Sequence, residues 1–113
     1  MDEAVARQLT PGQAAVLKRI LRAGYRFVRY ERFARYLGVE KEGFVALLDT
    51  SEGRVSVLGR VGYQLGEGIA VLVQRAEGPA FIWKNQTVAA TPDLLERYGK
   101  IKEELSRLTE TAS

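Results

Sequence analysis

From Gly43 to Lys84 the chain runs in short apolar stretches cut by glycine and proline, and this punctuation constrains the fold more than any other feature. FVALLD (44–49) and RVSVLG (54–59) flank TSEG, a polar turn containing glycine, which predicts a hairpin. IAVLVQR (69–75) is a third strand, entered through Gly66-Glu67-Gly68, and PAFIWK (79–84) a fourth, after Glu77-Gly78-Pro79. Apolar residues run almost unbroken through FVALL and IAVLV. Such strands are covered on both faces, by helices or by a second subunit.

Helical signals flank this region. Thr10-Pro11-Gly12-Gln13 reads as an N-cap threonine, a proline at the first helical position and a glutamine three residues after the cap. Ala14, Leu17, Ile20 and Leu21 then share a face, and Gly24 is a natural stop, so the pattern predicts a helix over 11–23. Tyr25–Tyr30, aromatic and β-branched, predicts a short strand. Glu31–Leu37 predicts a short helix, with Phe33, Tyr36 and Leu37 on one face and Gly38 as its cap. Thr91-Pro92-Asp93 opens a last helix. Leu94, Tyr98, Ile101, Leu105 and Leu108 give it one continuous apolar seam. The expected fold class is therefore α+β: an N-terminal helix, a short strand and short helix, an antiparallel meander of three or four strands, and a C-terminal amphipathic helix packed on the sheet.

At 113 residues the chain is expected to form a single domain over 1–113, with 1–9 and 109–113 frayed. It has neither cysteine nor histidine, which removes disulfides, thiolate nucleophiles and the commonest general base and metal ligand. The remaining acids, among them Asp49, Glu52, Glu67, Glu77 and Asp93, are scattered without an interpretable spacing. No catalytic, metal-binding or cofactor-binding residue is assigned, and the expectation is a non-enzyme. No apolar run approaches the roughly 20 residues of a membrane helix. The first residues, MDEAVARQL, begin acidic and lack a long apolar core, so the expectation is a cytoplasmic protein without membrane association.

Charge is segregated. Lys18–Lys41 carries eight cations against two carboxylates, a net +6 in a chain whose total is +3, so the remainder sums to −3. Arg19 and Arg22 lie near the end of the first helix, and Arg26, Arg29, Arg32 and Arg35 recur every third residue among Tyr25, Phe27, Tyr30, Phe33 and Tyr36. These six arginines are the candidate contacts for a nucleic acid or another anion, because the guanidinium fork matches phosphate and rings can stack on bases. The competing expectation turns the rings into the core and leaves the arginines as a solvated face.

RFARYLGVEKEGFVALL (32–48) resembles the helix-turn-helix pattern of DNA-binding domains. In that pattern Ala34 is the small residue where two helices touch and Gly38 the turn glycine, with Phe33, Leu37, Val39, Phe44 and Leu47 buried. The resemblance implies an alternative winged-helix architecture in which 40–48 is helical.

GRVGYQLGEG (59–68) reads as a long glycine-rich hairpin connection, with Tyr63 near its tip as a contact residue. It matches neither the dinucleotide-binding nor the P-loop glycine pattern. Strand alternation pairs Phe81 with the lone tryptophan, Trp83, as core residues or, if exposed, as an interface. Three functions follow as expectations. The first is a non-catalytic interaction module, partnered by another protein or a second copy, with Tyr63, Trp83, Tyr98 and Leu105 as candidate interface residues. The second is nucleic-acid binding through 18–41. The third is an enzyme or small-ligand binder using the 59–68 loop.

Overall fold

Capped helices and glycine-cut strands assemble into one antiparallel sheet that carries both helices on the same face. A computed structural model describes residues 9–51, 53–66 and 68–109. The elements are α1 (Pro11–Arg22), β1 (Arg26–Val28), a 3₁₀ turn (Glu31–Phe33), β2 (Leu37–Lys41), β3 (Phe44–Asp49), β4 (Ser56–Leu65), β5 (Gly68–Arg75), β6 (Gly78–Trp83), β7 (Gln86–Ala89) and α2 (Pro92–Thr109). Each strand pairs with the next, in the order β1 to β7.

Both helices form where their ends are capped. Thr10 and Gln13 make the reciprocal capping box that opens α1, and the Thr91 hydroxyl accepts from Leu94 N–H at the start of α2. Val16, Leu17 and Ile20 of α1 and Tyr98, Ile101 and Leu105 of α2 are buried against Val39, Phe44, Ala46, Leu48, Val61, Ala70 and Phe81 of the sheet. Four rings form the centre of this core. Phe44 lies 5.2 Å from Tyr63, 6.2 Å from Phe81 and 6.1 Å from Tyr98, centroid to centroid, spacings at which aromatic pairs attract.

The meander has seven strands, not three or four. Most of the difference lies in residues 31–43. Instead of a helix over Glu31–Leu37 there is a single 3₁₀ turn, and Gly38 caps nothing. It sits inside β2, paired with Val28 on one side and Leu47 on the other. A Cβ there would stand 2.5 Å from the Val28 carbonyl oxygen, so the close approach of β1 requires glycine. Glu42 and Gly43, at φ 54° and 89°, make a tight turn between β2 and β3. The Glu40 carboxylate braces it by accepting from Gly43 N–H at 2.8 Å. Residues 44–49 are therefore strand, which removes the winged-helix alternative. The expected strand Tyr25–Tyr30 shortens to Arg26–Val28.

The glycine-rich stretch 59–68 is not a long connection either. β4 runs through it to Leu65, and only two residues separate Leu65 from its partner Gly68. Tyr63 is accordingly not at a loop tip, because its ring packs on Phe44 and Phe81. The last strand, β7, turns back from β6 through Lys84, whose φ is 51°. The expected fraying at 1–8 and 110–113 lies outside the described residues. Leu9 packs against the core, and the Thr109 hydroxyl donates to the Leu105 carbonyl at 2.8 Å.

Candidate functional site

Strand alternation gives this sheet a second face, turned away from both helices. Glu40, Val45 and Gly62 share one cross-strand row on it, and Val28, Gly38, Leu47 and Leu58 another. Val45 is fully buried yet stands apart from the helix-side core. The connection Arg29–Phe33 shares a groove with Val45, Leu47, Ile69 and Val71, with a volume of about 880 Å³. The floor is thus aliphatic, supplied by β3 and β5, while the 3₁₀ segment contributes Tyr30 and Phe33.

Charge on the groove is one-sided. Among its described lining residues the cations are Arg29, Arg32, Arg60 and Lys84, and Glu31 is the one carboxylate. Lys84 Nζ stands 4.7 Å from the centroid of the Trp83 ring, a cation–π contact that holds the two together. Trp83 packs in part against the core and also lines the groove. The Tyr30 hydroxyl is buried without a hydrogen-bond partner. Burial pushes its pKa up, and the Glu40 carboxylate adds to that rise against the opposing effect of Arg26.

Of the six candidate arginines, the fold brings two into this groove, Arg29 and Arg32. Arg26 stands exposed on β1 and is ion-paired with Glu40. Its partner's carboxyl is held low: burial alone would raise it, but the Arg26 guanidinium and the Gly43 amide outweigh that. The Arg35 guanidinium lies 5.9 Å from the Tyr36 ring centroid. Arg19 and Arg22 are exposed on α1, the helix packed on the opposite face. Arg60 and Lys84 were not among the candidates. Arg60 belongs to a stretch whose glycines suggest a connection, and Lys84 ends a predicted strand. Only topology, not spacing, puts them beside Arg32.

The interface candidates divide in the same way. Tyr98 and Leu105 are buried within the chain's own core, so the α2 seam is occupied intramolecularly. Tyr63 is half-buried in the ring cluster, and Trp83 reaches the groove. A further polar cluster ties β2 to α2. Lys41 Nζ donates to Glu104 Oε1 at 3.0 Å and stands 5.1 Å from the Tyr25 ring centroid. Burial, with Glu104 nearby, raises the Tyr25 phenol far above its ordinary value.

Among the described residues no group of three or more carboxylates is placed to hold a metal ion. No described helix is long and apolar enough to cross a membrane. No protein-family model, curated protein or solved structure matches this chain.

Proposed function

We propose that this protein is a non-catalytic binding module that holds single-stranded nucleic acid along the outer-face groove. One observation carries this reading: among the groove's described lining residues, four cations and a single carboxylate surround three rings and an aliphatic floor. Single strands are held by that combination, with guanidinium and ammonium groups on phosphates and aromatic faces under unpaired bases. A duplex-reading mode lacks its element here, because residues 44–49, which a recognition helix would need, are an inner strand.

The test is binding of a fluorescein-labelled oligothymidylate or oligouridylate, followed by anisotropy across a salt series. Each phosphate contact contributes about 0.7 to the logarithmic salt slope for single strands. Replacing Arg32, Arg60 and Lys84 together by alanine is expected to reduce the slope by about 2. Trp83 emission should be quenched on saturation, because stacking brings a base onto the indole. Absence of binding at low salt, or an unchanged slope in the triple variant, overturns the proposal.

A further inference from the structure

β4 is ten residues long, but its ladder with β5 covers only Tyr63–Leu65 against Gly68–Ala70. Toward its beginning β4 remains paired with β3, Ser56 to Leu58 against Asp49 to Leu47. β5 from Val71 onward is paired with β6 alone. The sheet therefore splits, and the split has a local cause. The partners of Val45 and Leu47 on β4 are Gly62 and Leu58, so three residues of β4 face one of β3. Gly59, at φ 66°, takes up this bulge, and a bulged strand bends away from its neighbour. The edge of β4 over 56–60 has no ladder partner on the β5 side, and an unpaired strand edge is a template for another strand.

Side chains around the split match that role. A cleft of about 940 Å³ lies there, with Val57, Val61 and Leu72 lining it and Tyr98 and Leu105 of α2 behind. Val57 and Leu72, one on each of the two parted strands, are only partly buried by the chain itself. Arg54, Arg60 and Lys102 line the same cleft, and none of its described lining residues is acidic.

We infer that the split is a docking site for an extended, acidic segment of a partner protein. Its backbone pairs with the free edge of β4, its apolar side chains cover Val57 and Leu72, and its carboxylates meet Arg54, Arg60 and Lys102. A second copy of this chain fits less well, because it would bring the same three cations against themselves. The site is separate from the nucleic-acid groove in its discriminating residues. Lys102 lines only the cleft, Arg32 and Lys84 only the groove, and Arg60 both.

The experiment uses the full chain and a labelled peptide of alternating valine and glutamate, with a valine–lysine peptide of equal length as control. The acidic peptide is expected to bind at least about tenfold more tightly than the basic one, and Lys102→Glu to weaken it by about tenfold. Amide exchange over 56–60 should slow in the complex. Lys102 is exposed on α2, so an unchanged circular dichroism spectrum and unchanged oligonucleotide binding separate this effect from misfolding and from failure of the groove. Equal affinity for the two peptides, protection confined to other segments, or indifference to both Lys102→Glu and Arg54→Glu overturns the inference. So does a concentration-dependent dimer of the free protein that protects the same amides, which would assign the edge to a second copy.

Discussion

The indole of Trp83 occupies the space that a side chain on residue 68 would need. Gly68 is the buried first residue of β5, and Trp83 ends β6, the strand beside it. The tryptophan is thus seated on bare backbone, with Lys84 above its ring.

Gly68→Ala is therefore expected to force the indole aside and to destabilise the fold by about 1–3 kcal/mol, as overpacking does. Urea denaturation gives the energy, and a shifted Trp83 emission maximum in the native state shows the displacement. Gly99→Ala is the control. Gly99 lies exposed within α2 with nothing near its missing Cβ, so alanine there should stabilise by about 0.5–1 kcal/mol. Equal effects at the two glycines would refute the seating of Trp83.

Acid should weaken the fold through Glu104 and Glu40. Burial alone would raise the Glu104 carboxyl, but Tyr25 and Lys41 outweigh it and hold the group below its ordinary value of 4.5. Glu40 is lowered in the same sense by Arg26 and the Gly43 amide. A carboxylate whose folded pKa lies below its unfolded one contributes stability that is complete above the unfolded value. That contribution is lost as the pH falls through the folded value. The urea midpoint should accordingly hold from neutrality to about pH 5 and fall below it. Glu104→Gln should cost about 1 kcal/mol at pH 7, since the ion pair with Lys41 is mostly shielded from water. The same variant should lose stability less steeply in acid than the parent chain. An acid limb identical in both would remove Glu104 from the account.

The helices were legible because their signals are local. Thr10 and Gln13 are three residues apart, and the α2 seam repeats within single turns of its own helix. The strands over 44–49, 69–75 and 79–84 were legible from composition and punctuation, to within a residue or so at their ends. β2 was not, because Leu37 and Gly38 continue the pattern Phe33–Tyr36 suggested, and what makes them strand is pairing with Val28 and Leu47. The turn pair Glu42-Gly43 was the available signal for that hairpin. The glycines of 59–68 misled for a related reason. Gly62 serves a close approach, where a Cβ would stand 2.7 Å from the Ala70 carbonyl oxygen, and not a loop. The groove was half legible: Arg29 and Arg32 stood out by charge, whereas Arg60 and Lys84 join them through strand order alone.

Gln13 has a second task that its capping role concealed. It is almost fully buried, and its Nε2 donates to the carbonyl oxygens of Thr50 and Arg54 at 2.8 and 3.0 Å. Its Oε1 meanwhile accepts from Thr10 N–H at 2.9 Å. One amide therefore closes α1 and pins the connection between β3 and β4, which carries Arg54 into the cleft. Gln13→Ala should cost about 2–3 kcal/mol, a lost cap plus two carbonyls left without their donor. Gln13→Glu separates the tasks. Glutamate caps as well as glutamine does, so a purely capping role makes it neutral. Here it sets a carboxylate oxygen against two carbonyl oxygens, and the expected loss is at least that of alanine at pH 7. Protonation restores one donor, so the deficit of Gln13→Glu relative to the parent chain should shrink as the pH falls. Urea midpoints for the two proteins across that range check the sign. A constant or widening deficit would show that the carboxylate does not face Thr50 and Arg54.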